Sequence, residues 1–536
     1  MTKTRRLLAL ILTLLMVVSI AACGSDKVTD NSGTTTQTTG DANTDTSTGT
    51  GDEGPEGTDA APQRTLTVVA SQDSGTLYPL GVTGAYFSVM YSIYEPLLDT
   101  KADGTRVWVL ATGMDPISDI QNTLNIREGV TFSNGNPLTA EDVMFTMELN
   151  RDNPQFSLNV KAIDFEKTKV TGDYTIDLWY TEYNAAQEVG MCQMLIMDKE
   201  SYDEVALARE PIGTGPYVKN EYITNSHLLL DAREDYWGGA PSIKKLQYKV
   251  INEESQIVNE LETHGVDVAG VPINDVEFIK SLGYEVEIYN SGMNQAAWFS
   301  MLPGTPLESK EARWAVSHAI DRQAISDIMY KGMSTVTDYP GSHALTDFEP
   351  RFLNMHDTYT IGYNIEKAQE LADQSGLTGK TLRLITNGAS AMNTLAEIIQ
   401  GSLLEIGVNV DIIAYDQASF FGTMMDASNF EIALFTPSAP SMMAVDILGM
   451  YLTFIPLGWE GPDRDRYGEL SMGALTTSDP VSRSEQLYEA LKIFVDYDPW
   501  YGLCELVAAR TRSADLVGME YMISGNVYYQ YVSFAQ

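Results

Sequence analysis

Three apolar strands alternate with two helices in one stretch of the chain, and this pattern constrains the fold more than any other. Residues 382–386 and 430–436 have the length and apolar content of buried strands, and residues 408–415 alternate as a strand does. Residues 395–406 and 417–428 fit helices. A strand, a helix and a strand within about 35 residues form a right-handed crossover between parallel strands. We therefore expect an α/β protein with a partly parallel sheet.

The loop after the third strand is a candidate ligand site. In open parallel sheets, ligands bind beyond the carboxyl ends of the strands. The loop reads "PSAPSMMAVD" and contains the small Ser438 and the adaptable Met442, with Asp446 further along. A surface loop whose methionines pack into the core fits the same residues, so both interpretations stay open.

Helix caps are marked in two further regions. Thr139 and Asp142 have the spacing of a capping box. Ser309 and Asp321 each occupy an N-cap position, and Gly332 is placed to end the helix that Asp321 begins. We expect helices to begin at these three places.

Two glycine-containing motifs indicate tight segments. In "GTGPY", Gly213 and Gly215 allow positive φ before Pro216 sets an extended path. In "DYWGGAP", Tyr236 and Trp237 can cover an apolar edge while the two following glycines turn the chain. We interpret both motifs as features of the fold and not as ligand contacts.

The first residues have the profile of an export signal. Lys3, Arg5 and Arg6 precede the apolar run "LLALILTLLMVV". A membrane-spanning segment needs about 20 apolar residues, and this run gives way to small residues sooner. It ends in "IAAC", which resembles the bacterial lipoprotein box. That resemblance implies removal of a signal peptide at residues 1–22 and lipid modification of Cys23, whose acyl chains would hold the protein on a membrane.

Residues 23–63 lack the apolar side chains that a core requires. They are rich in Thr, Gly, Asp and Ser and contain no aromatic residue. We expect a flexible acidic linker between the lipid-modified Cys23 and a folded part that begins at residue 64.

Composition and missing motifs exclude several classes of function. The net charge of −39 argues against binding nucleic acid. The 5 histidines are scattered, and neither Cys192 nor Cys504 belongs to a closely spaced pair, so a zinc site is not expected. The sequence contains no phosphate-loop, GxSxG or HExxH pattern. Cys192 and Cys504 either form a disulfide or remain buried free thiols, and the sequence leaves both open.

Several motifs follow one another in an order that resembles one protein family. They are "YSIYEPLLDTKADG", "LNIREGVTFSNGNPLTAEDVMFTME", "PIGTGPYVKNEY", "DAREDYWGGAPSIKKLQYKV", "ELETHGVDVAGVP", "ARWAVSHAIDRQAISDIMYKG" and "YNIEKAQELADQSGL". This set is similar to the bacterial extracellular solute-binding proteins of family 5, the substrate-binding lipoproteins of peptide, oligopeptide and nickel ABC transporters.

The resemblance implies a two-lobed fold of the type II periplasmic-binding-protein class, in its large family 5 form, with an extra subdomain in the first lobe. The chain would cross between the lobes near residues 293–301 and 496–503. The expected divisions are lobe I at 64–292 with the extra subdomain at about 97–215, lobe II at 293–500, and a C-terminal return to lobe I at 501–536.

The resemblance also implies a function. Such a protein captures a solute in the cleft between its lobes and delivers it to a membrane permease that an ATPase drives, without catalysis and without a cofactor. We expect an oligopeptide or a similar polar solute, with a saccharide, a metal chelate or a solute-sensing role as alternatives and an exported hydrolase as the least favoured. We expect a monomer on the outer face of the cytoplasmic membrane, or in the periplasm of a cell with two membranes.

The predicted solute-binding residues come from four parts of the chain. They are Gly84 and Tyr86 in the family's N-terminal cleft loop, Asn294 and Trp298 at the first crossing, Ser438 and Met442 in the strand-end loop, and Trp459. Peptide-binding members commonly carry an acidic residue after the late strand, where a carboxylate can pair with the α-ammonium group of a peptide. Here that stretch reads "FTPSAPSMM", so the usual amine anchor is missing unless Asp446 reaches the cleft.

Overall fold

The centre of the molecule is one mixed β-sheet, seen in a computed structural model. The structure describes residues 64–82, 86–101, 103–336, 341–352, 355, 362–436, 443–445, 447–448, 458–523 and 525–535. Cys23, Gly84, Ser438, Met442 and Asp446 lie outside these residues.

The described strands and helices are as follows in chain order. The strands are β1 (Leu66–Ala70), β2 (Leu98–Thr100), β3 (Arg106–Trp108), β4 (Ala111–Ser118), β5 (Gln121–Ile126), β6 (Lys169–Gly172), β7 (Thr175–Trp179), β8 (Tyr217–Ile223), β9 (His227–Ala232), β10 (Lys245–Val250), β11 (Val268–Val271), β12 (Tyr284–Phe299), β13 (Thr381–Thr386), β14 (Asn409–Ala414), β15 (Ile432–Phe435), β16 (Trp500–Ser513), β17 (Leu516–Val517) and β18 (Ser533–Phe534). The helices are α1 (Phe87–Met90), α2 (Ala140–Asp152), α3 (Val189–Gln193), α4 (Glu204–Leu207), α5 (Glu254–Glu262), α6 (Val276–Ser281), α7 (Lys310–Ala319), α8 (Arg322–Tyr330), α9 (Ile365–Ser375), α10 (Ser390–Glu405), α11 (Gln417–Met424), α12 (Pro462–Thr476) and α13 (Pro480–Tyr497).

The sheet joins both halves of the molecule. Among the described residues it has 10 strands in the order β14-β13-β15-β12-β16-β11-β1-β10-β9-β8. β13 pairs in parallel with β14 and β15, and β1 pairs in parallel with β10 and β11. The predicted succession of strand, helix, strand, helix and strand is confirmed as β13, α10, β14, α11 and β15.

Two long antiparallel strands, β12 and β16, connect the halves of the sheet. Their pairing extends from Tyr284 opposite Ser513 to Trp298 opposite Trp500. The register shifts between Asn290 and Asn294, which marks a bulge in β12. We call β12 and β16 the crossing strands.

Separate hydrophobic cores lie on the two sides of the crossing strands. Lobe I is the part built on β1 and β8–β11, and its core includes buried side chains of α1. Lobe II is the part built on β13–β15, and its core includes α7 to α13. The sheet β4-β5-β7-β6 and α2 enclose a further core, and we call this part the subdomain. The lobe and subdomain boundaries drawn from the sequence stay predictions.

The helix caps agree with the sequence in most respects. Thr139 and Asp142 form both bonds of the capping box at α2. Ser309 and Asp321 cap α7 and α8 through their side chains. α8 ends at Tyr330, where Lys331 already takes the left-handed conformation, one residue before the expected Gly332.

The glycines of "GTGPY" have a different role from the one the sequence suggests. Neither Gly213 nor Gly215 has a positive φ, so that expectation is wrong. Their backbone instead packs against Ile93, and a Cβ atom on Gly213 would lie 2.1 Å from the carbonyl oxygen of Ile93. The absence of a side chain permits this close approach.

The "DYWGGAP" motif surrounds a buried carboxylate. Tyr236 Oη donates to Glu95 Oε1 at 2.6 Å, and Trp237 Nε1 donates to Oε2 at 2.9 Å. Glu95 is fully buried, and this burial raises its pKa to about 7 against the opposing effect of the two donors.

Both described cysteines, Cys192 and Cys504, are free thiols, which resolves the alternative that the sequence left open. Cys504 lies in the lobe II core with its Sγ 3.5 Å from Gln295 Oε1, whereas Cys192 lies beside Thr100 in the subdomain. No helix in the described part of the chain combines the length and the apolar character that crossing a membrane requires.

Candidate functional site

The parallel strands of the two lobes direct their carboxyl ends toward each other. β1, β10 and β11 run in the direction of β12, whereas β13, β14 and β15 run in the opposite direction. Val271, which ends β11, is level with Ile288 of β12, and Phe435, which ends β15, pairs with Ala296. The two sets of ends therefore face each other across residues 289–295. Because ligands bind beyond such ends, this crevice is the candidate site.

A buried carboxylate lies on the crossing strands at the level of the crevice. Glu505 is fully buried and accepts from Asn290 Nδ2, from the backbone N–H of His343 at 2.7 Å and from the His343 ring, whose Nδ1 is 2.5 Å away. Ser342 donates to Asn290 Oδ1 at 2.9 Å. We call Asn290, Ser342, His343 and Glu505 the crossing network.

The crossing network attaches a loop of lobe II to both crossing strands. Burial raises the pKa of Glu505, and the hydrogen bonds that it accepts from His343 offset part of that rise. Because its oxygens already accept from Asn290 and His343, Glu505 is suited to hold the loop in place and not to take up a cation.

Polar side chains also follow β13 at the crevice. Thr386 Oγ1 donates to Asn393 Oδ1 at 2.7 Å, and Asn387 Nδ2 donates to Gln417 Oε1 at 3.1 Å. These amides lie where α10 and α11 begin, directly beyond the carboxyl end of β13. They can form hydrogen bonds to a neutral or zwitterionic solute.

Two predicted binding residues lie on the crossing strand β12. Asn294 is buried and stands opposite Glu505 in the register. Trp298 is 3% exposed, and its ring centroid is 4.2 Å from that of Trp500 and 5.3 Å from that of Phe435. Trp298 is therefore a core side chain beneath the carboxyl end of β15.

Tyr86 and Trp459 lie in different cores. Tyr86 is 1% exposed within the lobe I core, and its hydroxyl has no hydrogen-bond partner among the described residues. Trp459 packs on the lobe II core, where its ring stacks on Tyr497 with centroids 4.9 Å apart. The structure does not bring Tyr86 together with Trp298 and Trp459, and the three remain predictions.

The sequence alone does not predict the residues of the crossing network. Its one local signal is Glu505 inside the apolar stretch "WYGLCELV", because a carboxylate in a buried strand requires partners. Those partners, Asn290 and His343, are far away in sequence. No group of three or more His, Cys, Asp or Glu side chains among the described residues could hold a metal ion.

A family model establishes the relationship of this chain to known proteins. The model described as "Bacterial extracellular solute-binding proteins, family 5 Middle" matches residues 110–453. The chain belongs to this family. The family that the motifs suggested is thus confirmed, and so is its two-lobed α/β fold.

Individual family 5 proteins are similar over most of the chain. The nickel-binding protein NikA of Staphylococcus aureus is 24% identical over 350 residues, which are 64% of this chain and 68% of that protein. The ABC transporter substrate binding protein CtaP of Listeria monocytogenes has a TM-score of 0.77 at 20% identity, covering 88% of this chain and 100% of that one. The oligopeptide-binding protein AppA of Bacillus subtilis, solved with a nonapeptide, has a TM-score of 0.69 at 18% identity, covering 88% and 99%. At these identities the two solved structures establish the fold.

Proposed function

We propose that this chain is the substrate-binding component of an ABC importer, which captures a solute in the crevice and presents it to a permease that an ATPase drives. The observation that carries the proposal is the family match over residues 110–453, which includes the first crossing strand and all the lobe II strands whose ends face the crevice. Binding and release require no catalytic group, so we propose that the protein is not an enzyme and has no cofactor.

We propose an oligopeptide or a similarly sized polar solute as the ligand. The described crevice residues that support it are the amides of Asn387 and Asn393 beyond β13. Each amide nitrogen has two donor hydrogens and already uses one within the protein, so the second can bond to a peptide group. The same amides fit saccharide hydroxyls, and the Staphylococcus aureus relative is named for nickel. A saccharide and a metal chelate therefore remain the second and third classes to test.

A thermal unfolding experiment on the full chain tests the ligand class. The protein is heated alone and with short peptides, oligosaccharides or nickel complexes. A solute at about 100 times its dissociation constant should stabilise the folded state by about 2.7 kcal/mol, which raises the midpoint by several degrees. A rise with peptides alone supports the proposed class. A rise confined to sugars or nickel complexes contradicts it, and no rise with any of them at millimolar concentration counts against solute binding.

We also propose that lipidated Cys23 anchors the protein to the outer face of the cytoplasmic membrane, with residues 24–63 as the linker and a monomer as the working unit. Support comes from the lipoprotein-box sequence "IAAC" that follows an apolar run. In the native bacterium grown with labelled palmitate, the unchanged protein and Cys192→Ala should carry the label, whereas Cys23→Ala should not. Label on the Cys23→Ala variant, or no label on the unchanged protein, would contradict the anchor.

A further inference from the structure

His343 of the crossing network exposes one side of its ring. Its Nδ1 lies 2.5 Å from Glu505 Oε2, and its backbone N–H donates to Glu505 Oε1 at 2.7 Å. The carboxylate is fully buried, whereas 44% of the His343 side chain is exposed. Because Nδ1 and the backbone N–H both point at the buried carboxylate, the exposed part of the ring is the side that carries Nε2.

The bond to Glu505 decides which ring nitrogen of His343 carries a proton. Asn290 Nδ2 and the backbone N–H of His343 both donate to this carboxylate, and such bonds favour its ionised form. An ionised carboxylate only accepts, so Nδ1 carries the hydrogen between them. In the neutral ring Nε2 then keeps its lone pair and is a hydrogen-bond acceptor. Nε2 forms no hydrogen bond with any described residue.

The ring of His343 lies over the crossing strands at the level of the crevice. Its partners are Asn290 of β12 and Glu505 of β16, and Asn290 Nδ2 is 3.5 Å from the ring Nδ1. At this level the carboxyl ends of the strands of the two lobes face each other. A solute held between these ends can therefore reach Nε2.

The charge of the pair formed by His343 and Glu505 favours a cationic donor. Among the described residues, no Lys or Arg forms an ion pair with Glu505. With a neutral ring the pair keeps the negative charge of the carboxylate, which attracts a cation and repels an anion. A peptide with a free N-terminus carries such a cation, because its α-ammonium group is protonated at neutral pH and offers N–H donors.

We propose that Nε2 of His343 accepts a hydrogen bond from the α-ammonium group of a peptide solute, while Glu505 holds the ring and supplies the charge. This inference rests on the proposed function, because it names the solute group that the crevice recognises. Glu505 does not contact the solute, in agreement with its bonds to Asn290 and His343. A neutral saccharide has no cation for this position, so the site favours a peptide.

Titration calorimetry of the full chain at pH 7 tests this site. The probes are trialanine and pentaalanine, each with either a free or an acetylated N-terminus. Acetylation removes the charge of the terminal nitrogen and leaves the rest of the peptide unchanged. We expect the free peptides to bind about tenfold or more tightly than the acetylated ones, which is the contribution of one charge-assisted hydrogen bond.

Two substitutions of His343 separate the roles of its two ring nitrogens. Asparagine places an amide N–H near the position of Nδ1, where it can still donate to Glu505, and has no counterpart of Nε2. Glutamine is longer and places its amide near the position of Nε2, where the oxygen can still accept. We expect His343→Asn to reduce the preference for the free N-terminus to less than about twofold, and His343→Gln to retain about fivefold.

His227→Asn is the matched control, because the Nε2 of this lobe I histidine is 3.1 Å from Glu221. It should leave the preference for the free N-terminus unchanged. An unchanged preference in His343→Asn, or equal weakening of free and acetylated peptides, would overturn the site, while peptide binding itself would still support the proposed function. Binding of none of the four peptides at millimolar concentration would overturn the site and would also count against the proposed ligand class.

Discussion

At the scale of single residues, several buried polar groups in this protein bond to partners distant in sequence. Glu95 is the clearest case, because Tyr236 and Trp237 approach it from a motif about 140 residues away. The sequence alone indicates that both aromatic residues cover an apolar edge. The carboxylate beneath them could not be inferred, because nothing local to either segment indicates the contact.

Glu95→Gln should change how stability depends on pH. Between pH 4.5 and about 7 the folded protein retains a proton on Glu95 that the unfolded chain releases, so raising the pH lowers the free energy of unfolding. The loss across this window should approach about 3 kcal/mol. Glutamine can accept from Trp237 and donate to Tyr236, so the variant should lack this loss. Urea unfolding from pH 4.5 to 8 measures the free energy of unfolding of both proteins. The same pH dependence in both would contradict a raised pKa of Glu95.

Gly213→Ala should be strongly destabilising. The added Cβ would lie 2.1 Å from the carbonyl oxygen of Ile93. Because that oxygen belongs to the backbone and cannot rotate away, the strain should cost about 3 kcal/mol or more. Gly113→Ala is the control, since a Cβ there meets nothing within 4 Å. Thermal unfolding compares the midpoints of the two variants. Equal midpoints would contradict the prediction and would show that the segment near Ile93 can move.

At the scale of secondary-structure elements, local patterns predicted β13, α10, β14 and β15 correctly because each carries its own apolar spacing. The length of β12 and its bulge near Asn290 could not be predicted in this way. They depend on pairing with β16, which lies more than 200 residues later. The predicted site residues could not be placed from local patterns either. Tyr86 packs in the lobe I core and Trp298 in the lobe II core, and an aromatic residue in a core has the same local sequence signal as one in a binding site.

On the crossing strands, two carboxylates should differ sharply in their effect on stability. Glu505→Ala removes the buried acceptor of Asn290 and His343, and leaving these donors unpaired should cost about 2 to 4 kcal/mol. Glu285→Ala breaks an ion pair with Arg512 whose side chains are 54% and 34% exposed, and should cost less than about 1 kcal/mol. Chemical denaturation measures both, and equal losses would contradict the anchoring role of Glu505.

At the scale of the whole molecule, one sheet serves two lobes. β12 and β16 lie in its middle, and we expect the lobes to rotate about these two strands when they separate. The bulge at Asn290 interrupts the pairing between them and is the natural point of bending.

We propose that the solute binds between the lobes. The most direct test is hydrogen–deuterium exchange of the full chain with and without the solute that raises the unfolding midpoint most. We predict slower exchange on both sides of the crevice, in residues 71–82 after β1 and in residues 386–393 after β13. Protection confined to one lobe, or located away from both sets of strand ends, would contradict the claim.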